Sequence, residues 1–182
     1  MKIRELSYCA LFIALLIICS QIQINLGLVV YTLQTLAVLL ICFLLPTKLA
    51  VISTGTYLLL GLIGLPVFAG WKGGLSALVS PTFGFIISFV VVALVIPPYL
   101  EKLGYTRRSY IIASVLATLI IYGIGLAYFA FIMNVQQGQE MSLMTIFSLV
   151  TLPYIPGDIV KAILAIIIGT RLHKHTFFLK KA

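Results

Sequence analysis

The chain has 182 residues, 62% of them hydrophobic and 9% charged, with 12 Lys or Arg, 4 Asp or Glu, a net charge of +8 and a mean hydropathy of +1.21. A soluble domain carries about 25% charged residues, and a soluble fold of this size could not cover its surface with so few ionised groups. A secreted disulfide scaffold, a disordered chain and a cytosolic enzyme are excluded together, and an integral membrane protein remains.

A transmembrane helix needs about 20 apolar residues, so six spans leave room for loops and eight do not. Runs such as Ile86–Ile96 are apolar on every face, which speaks against a barrel, whose strands alternate apolar and polar residues. In chain order, the segment from 6 to 47 lacks Asp, Glu, Lys and Arg and is too long for one helix. Its polar stretch from Gln21 through Gln23 and Asn25 to Gln34 divides it into helix 1 (about 5–22) and helix 2 (about 32–46). Pro46 breaks the chain and Lys48 opens helix 3 (about 48–64). A segment rich in Gly and Pro follows, with a lid over about 65–81. Helix 4 (about 82–97) is predicted to stop at Pro97-Pro98, where two ring nitrogens lack an N–H. Helix 5 covers about 110–132, and helix 6 runs from about 157 to 172 after Pro156-Gly157. The basic N-terminus is not read as a cleaved signal peptide, because no small-residue cleavage site precedes a soluble domain.

Six spans put Lys2, Arg4, Lys48, Lys102, Arg107, Arg108, Arg171, Lys174, Lys180 and Lys181 on one side and only Lys72 and Lys161 on the other. The positive-inside rule makes the first side cytoplasmic, with both termini there. Topology and contact with anionic lipid then account for the net charge, and no nucleic-acid partner is expected.

Several chemistries lack their residues. Cys9, Cys19 and Cys42 lie within spans without a C-x-x-C or Cys/His cluster, so no metal site is expected. His173 and His175 sit among lysines at the headgroup boundary. No lysine follows a glycine, so there is no P-loop and no ATP hydrolysis by that route. Glu5, Glu101, Glu140 and Asp158 are dispersed, and no two pair as acid and base. No catalytic residues and no cofactor are expected. No internal repeat is visible, which counts against many secondary transporters.

Three features remain. Asp158 and Lys161 stand three apart at the opening of helix 6, on one helix face. Ionisable groups at the embedded end of a span are costly and mark functional cavities. They form either an acceptor and donor for a ligand bearing both N–H and C=O groups, or a structural pair pinning the helix. The segment Gly64–Phe85 is too broken for a span and too apolar for a solvated loop. Irregular backbone at membrane depth survives when it is buried in protein or lines a cavity. It is read as a lid over an outward-facing pocket, with Phe68 and Trp71 as walls, or as a re-entrant packing loop. Ala10 and Ala14 on helix 1 are small residues four apart that let another helix approach, in this chain or in a partner.

Gly61-x-x-Gly64-Leu65-Pro66-Val67-Phe68-Ala69-Gly70-x-x-Gly73-Gly74, then Pro81-Thr82-x-Gly84-Phe85, then Pro156-Gly157-Asp158-x-x-Lys161 resemble the BioY family, the biotin-binding S-components of energy-coupling factor (ECF) vitamin transporters. The likeness covers essentially the whole chain and departs at Ser80 and Phe83, where glycine is expected. It implies a six-helix capture subunit with its pocket near the extracellular side. Such a subunit binds biotin with high affinity, works with a transmembrane coupling protein and two ABC-type ATPases, and topples to carry the pocket inward. It also implies that Ala10 and Ala14 face the coupling protein. Biotin offers two ureido N–H donors, one ureido carbonyl, an apolar thioether ring and a carboxylate. Asp158 is then the acceptor for the ureido N–H groups. Lys161 donates to the ureido oxygen or pairs with the carboxylate, for which Lys72 and backbone N–H groups compete. Phe68, Trp71 and Tyr57 cover the bicyclic body, Gly73 and Gly74 bring backbone close, and Gln34 adds a polar contact. A small channel-forming oligomer and a small membrane enzyme are the rivals from other classes. The first lacks polar pore-lining groups and the second lacks an acid–base or nucleophile–base pair.

Overall fold

The computed structural model describes residues 2–25 and 29–176, with the backbone alone for Asn25 and for 173–176. The side chains of His173, Lys174 and His175, and residues Lys180 and Lys181, lie outside the described residues.

The fold is mostly helical. Helix α1 (Ile3–Gln21) begins with the Lys2 N–H donating to Glu5 Oε2 at 3.0 Å, an acid in the first turn where the helix dipole favours one. A short antiparallel hairpin follows, β1 (Gln23–Asn25) and β2 (Val30–Thr32), pairing Gln23 with Thr32 and Ile24 with Tyr31. Thr32 therefore belongs to a strand, and α2 (Gln34–Leu44) starts two residues later than the apolar run predicts. Nine of its eleven residues are buried, as an element apolar all round must be. It packs against α1, α4 and α7 and forms the axis of the bundle. Pro46 turns the chain into α3 (Thr47–Leu62), and a 3₁₀ turn (Leu75–Val79) precedes α4 (Phe83–Leu103).

The predicted stop at Pro97-Pro98 is overturned, because α4 continues through both prolines to Leu103. The rings remove the bonds that would run back to the carbonyls of Ala93 and Leu94. Their fixed φ is nevertheless helical, and Val92, Ala93, Ile96 and Leu100, all fully buried, hold the segment in register. The helix ends at Gly104, whose φ of 83° is left-handed and whose N–H closes onto Leu100 O at 2.9 Å. Thr106 then caps α5 (Arg107–Phe131) through Ser109 N–H at 3.2 Å, three residues before the predicted start. A π turn (Ile132–Gln136) extends it.

Between α5 and the last helix, where no element is predicted, the structure has α6 (Leu143–Val150). Asn134 closes the intervening loop through two bonds to the Met141 backbone, at 2.8 and 3.0 Å. Ser142 caps α6, and α7 (Ile155–Thr176) departs from it at 55°. Among the described residues α1, α4 and the extended α5 are long and apolar enough to cross a membrane, and the bent α6–α7 pair makes a fourth. At 1.5 Å per residue α2 is about 17 Å long. It is shorter than a hydrocarbon core of about 30 Å.

Candidate binding site

The hairpin, the 64–81 loop and the near ends of α4, α6 and α7 gather at the end of the bundle opposite the α2–α3 and α4–α5 connections, and α5 closes the side. They enclose a cavity of about 570 Å³, within the range of small-ligand pockets.

Asp158 and Lys161 face this cavity from the first two turns of α7. Lys161 Nζ lies 2.7 Å from Asp158 Oδ1, with the side chains 4% and 12% exposed. Ions this dry are stable only when paired and hydrogen-bonded, and three tyrosines supply the remainder. Tyr122 of α5 donates its hydroxyl to Asp158 Oδ2. Tyr31 of β2 lays its ring 3.7 Å from Lys161 Nζ, a cation–π contact. Tyr154 packs on Tyr31 at 5.6 Å and ties α6–α7 to the hairpin by donating to Val29 O. Burial, reinforced by the Asp158 carboxylate, pushes the Tyr31 phenol up to about 12, so it is neutral at physiological pH. Gly157 leaves room for the Tyr31 ring, because a Cβ there would displace the Tyr31 hydroxyl. The pair is not saturated. A carboxylate offers about four lone-pair positions and an ammonium three donors, so both retain capacity toward the cavity.

The 64–81 loop is pinned at its base. Ser20 Oγ donates to Val67 O at 2.7 Å and Gln21 Nε2 to Phe68 O at 3.1 Å, while Gly74 N–H reaches Gly61 O at 2.7 Å. Its tip turns through two left-handed residues, Gly70 (φ 73°) and Trp71 (φ 59°), an uncommon state for a tryptophan. The Gln21 side chain accepts the Trp71 N–H at 3.1 Å and holds that turn. Trp71 stands at the rim, 69% exposed, while Phe68 is buried in the wall.

Of the residues singled out in the sequence, Asp158, Lys161, Phe68, Trp71, Gly73 and Gln34 line the cavity together with Lys72. Tyr57 and Gly74 do not. Tyr57 is 1% exposed and lies behind Phe68, ring centres 5.6 Å apart, where it receives Gln34 Nε2 at 2.8 Å and donates to Val67 O at 3.1 Å. It is a strut between α2, α3 and the loop, not a wall, and Gly74 serves the loop's anchorage to α3. Tyr31, Tyr122 and Tyr154 are the residues sequence reasoning missed. Tyr122 lies 36 residues from its partner and nothing local marks it. The run of β-branched and aromatic residues Val29-Val30-Tyr31-Thr32 is the available signal for the hairpin. At the departure from the family pattern, Ser80 and Thr82 hydroxyls bond each other at 3.0 Å and Phe83 N–H returns to Ser80 O at 3.1 Å, so the turn closes without glycine. Ala10 and Ala14 lie on an exposed face of α1, away from the cavity.

Residues 1–177 match the BioY family. The chain is 37% identical to the probable biotin transporter BioY of Pyrococcus horikoshii over 97% of its own length and all of that protein's. It is 34% identical to the biotin transporter BioY of Thermotoga maritima, covering 94% of this chain and 96% of the relative. Its fold matches a crystal structure of the S-component for biotin from an ECF-type ABC transporter with a TM-score of 0.84 at 31% identity, covering 95% of this chain and 92% of that one. With its apolar helices, its buried ion pair and its glycine-rich loop in that arrangement, this multi-pass membrane protein belongs to the BioY family.

Proposed function

We propose that this chain captures biotin from outside the cell as the S-component of an ECF-type importer. A transmembrane coupling protein and two ABC-type ATPases would supply the hydrolysis for which it carries no P-loop. The observation that carries this reading is the dry Asp158–Lys161 pair presented to a cavity of about 570 Å³ by tyrosines. A ureido group has two N–H donors and one acceptor, the complement of a carboxylate beside an ammonium. Phe68, Phe83 and Phe89 offer apolar surface for the thioether ring.

Charge balance decides between the two roles open to Lys161. The pair is neutral as a unit, and a ligand carboxylate drawn onto Lys161 would leave one anion too many in a dry site. The ureido oxygen therefore takes Lys161, and the carboxylate points toward Lys72, which lines the cavity from the exposed rim. Lys72→Gln is then expected to weaken biotin several-fold and to leave biotin methyl ester unchanged. Equal loss for both ligands in calorimetric titration would place the carboxylate elsewhere.

Six membrane crossings with both termini cytoplasmic agree with the chain's alternation between the two ends of the bundle, with α2 and α3 as short crossings. The exposed Ala10 and Ala14 leave a shallow strip on α1 that no segment of this chain covers among the described residues, which fits a helix of the coupling protein. The functional reading is tested by titrating the purified chain with a panel of water-soluble vitamins. Biotin is expected to saturate it at one molecule per chain. Heat from a different vitamin, with none from biotin, would overturn it.

A further inference from the structure

A second cavity, of about 480 Å³, lies on the outside of the bundle between α5 and α7, at the end remote from the biotin site. Its walls are Ile111 of α5 and Ile163, Ile166 and Ile167 of α7, with Thr170 beside them, and its mouth holds Arg107 and Arg171. The spacing of three and four along α7 sets its members on one face leading to Arg171. Because α5 starts where α7 ends, both guanidinium groups arrive at the same end of the groove. Ile111, Ile163 and Ile167 are 46%, 50% and 44% exposed. No Asp or Glu lines the groove, and among the described residues neither guanidinium group has an ion pair or hydrogen bond.

We propose that this groove is a specific binding site for an anionic phospholipid, with one acyl chain along the isoleucines and the phosphodiester between Arg107 and Arg171. Charge complementarity selects this occupant. Two unpaired guanidinium groups present forked donors suited to a phosphate. They cap an apolar channel at the end where arginines of a membrane helix reach for the headgroup region. A zwitterionic lipid would bring a cation to a mouth that has no acid to receive it.

The test is binding of dioleoyl phosphatidylglycerol and dioleoyl phosphatidylcholine to the detergent-purified chain by native mass spectrometry, with glycerol phosphate as the soluble headgroup alone. Phosphatidylglycerol is expected to be retained at one molecule per chain in preference to phosphatidylcholine. The double variant Arg107→Gln/Arg171→Gln should weaken it about thirtyfold, at about 1 kcal/mol for each cation near an anionic lipid. Ile167→Trp, on an exposed position, should weaken it by filling the channel. Lys102→Gln/Arg108→Gln removes two charges at the same end but outside the groove, and should leave binding intact. Melting temperature and biotin binding report folding independently of the groove. Equal loss in the two double variants would reduce the effect to diffuse charge and overturn the proposal. So would equal retention of the two lipids, or glycerol phosphate competing as well as the whole lipid.

Discussion

Asp158→Asn is expected to raise the dissociation constant for biotin about a hundredfold. The substitution preserves shape and removes the charge that Lys161 Nζ and the Tyr122 hydroxyl both address. A hydrogen bond to a charged group contributes about 1.5–3 kcal/mol, and the variant loses that strength toward the ureido N–H groups. It also leaves Lys161, 3% exposed, without its counter-ion. Breaking one side of a buried pair costs about 3–5 kcal/mol of stability, so the melting temperature should fall as well. Pairing it with Lys161→Met separates the two effects. The double variant removes the stranded cation and should regain much of the stability, yet it should not regain biotin, because neither the charged acceptor nor the ammonium donor is restored. Calorimetry in detergent on both proteins provides the measurement. An unchanged affinity in Asp158→Asn would remove Asp158 from the binding site.

How far such a site is legible in sequence depends on the range of its contacts. Asp158 and Lys161 could be paired by inspection, because helical spacing alone sets them side by side. Tyr122 could not, since a tyrosine within an apolar span reads equally as core or lipid-facing, and only the packing of α5 on α7 brings it to the carboxylate. Tyr57 illustrates the opposite error. An aromatic near the glycine-rich loop reads as a wall, but its hydroxyl is consumed by Gln34 and Val67 O one layer behind the cavity. Pro97-Pro98 exposes the limit of a local rule, because the missing N–H groups weaken the ladder while tertiary burial on both sides carries the helix across. The eight residues of α6 are too few to register as a span, yet that element seats Tyr154 against the hairpin. Among these elements the errors fall on contacts that close the cavity from far along the chain, while the bundle's apolar periodicity is local and readable.

Gly73→Ala is expected to open the other side of the site. Gly73 does not need a left-handed backbone; it needs the space a side chain would take. A Cβ there would collide with the carbonyl oxygen of Leu65 and come within 2.8 Å of its carbon, where the chain leaves α3. Backbone on both sides of the clash cannot rotate aside as a side-chain tip would, so the loop must lift. The bonds on either side, Gly74 N–H to Gly61 O at 2.7 Å and Phe68 N–H to Lys72 O at 3.0 Å, are the ones that hold it down. Overpacking of this kind costs about 1–3 kcal/mol. It should appear as a lower melting temperature, faster amide exchange over 64–81 and a biotin dissociation constant raised about tenfold, since Phe68 and Lys72 move with the loop. Gly55→Ala is the matched control. Gly55 sits inside α3 with nothing within 4 Å of its added Cβ, and there alanine should stabilise by about 0.5–1 kcal/mol through reduced backbone entropy in the unfolded chain. Opposite signs for the two substitutions would identify close backbone approach as the reason for glycine at 73. If Gly73→Ala behaved like Gly55→Ala in both melting and biotin titration, the anchored loop would not be what shapes that wall of the cavity.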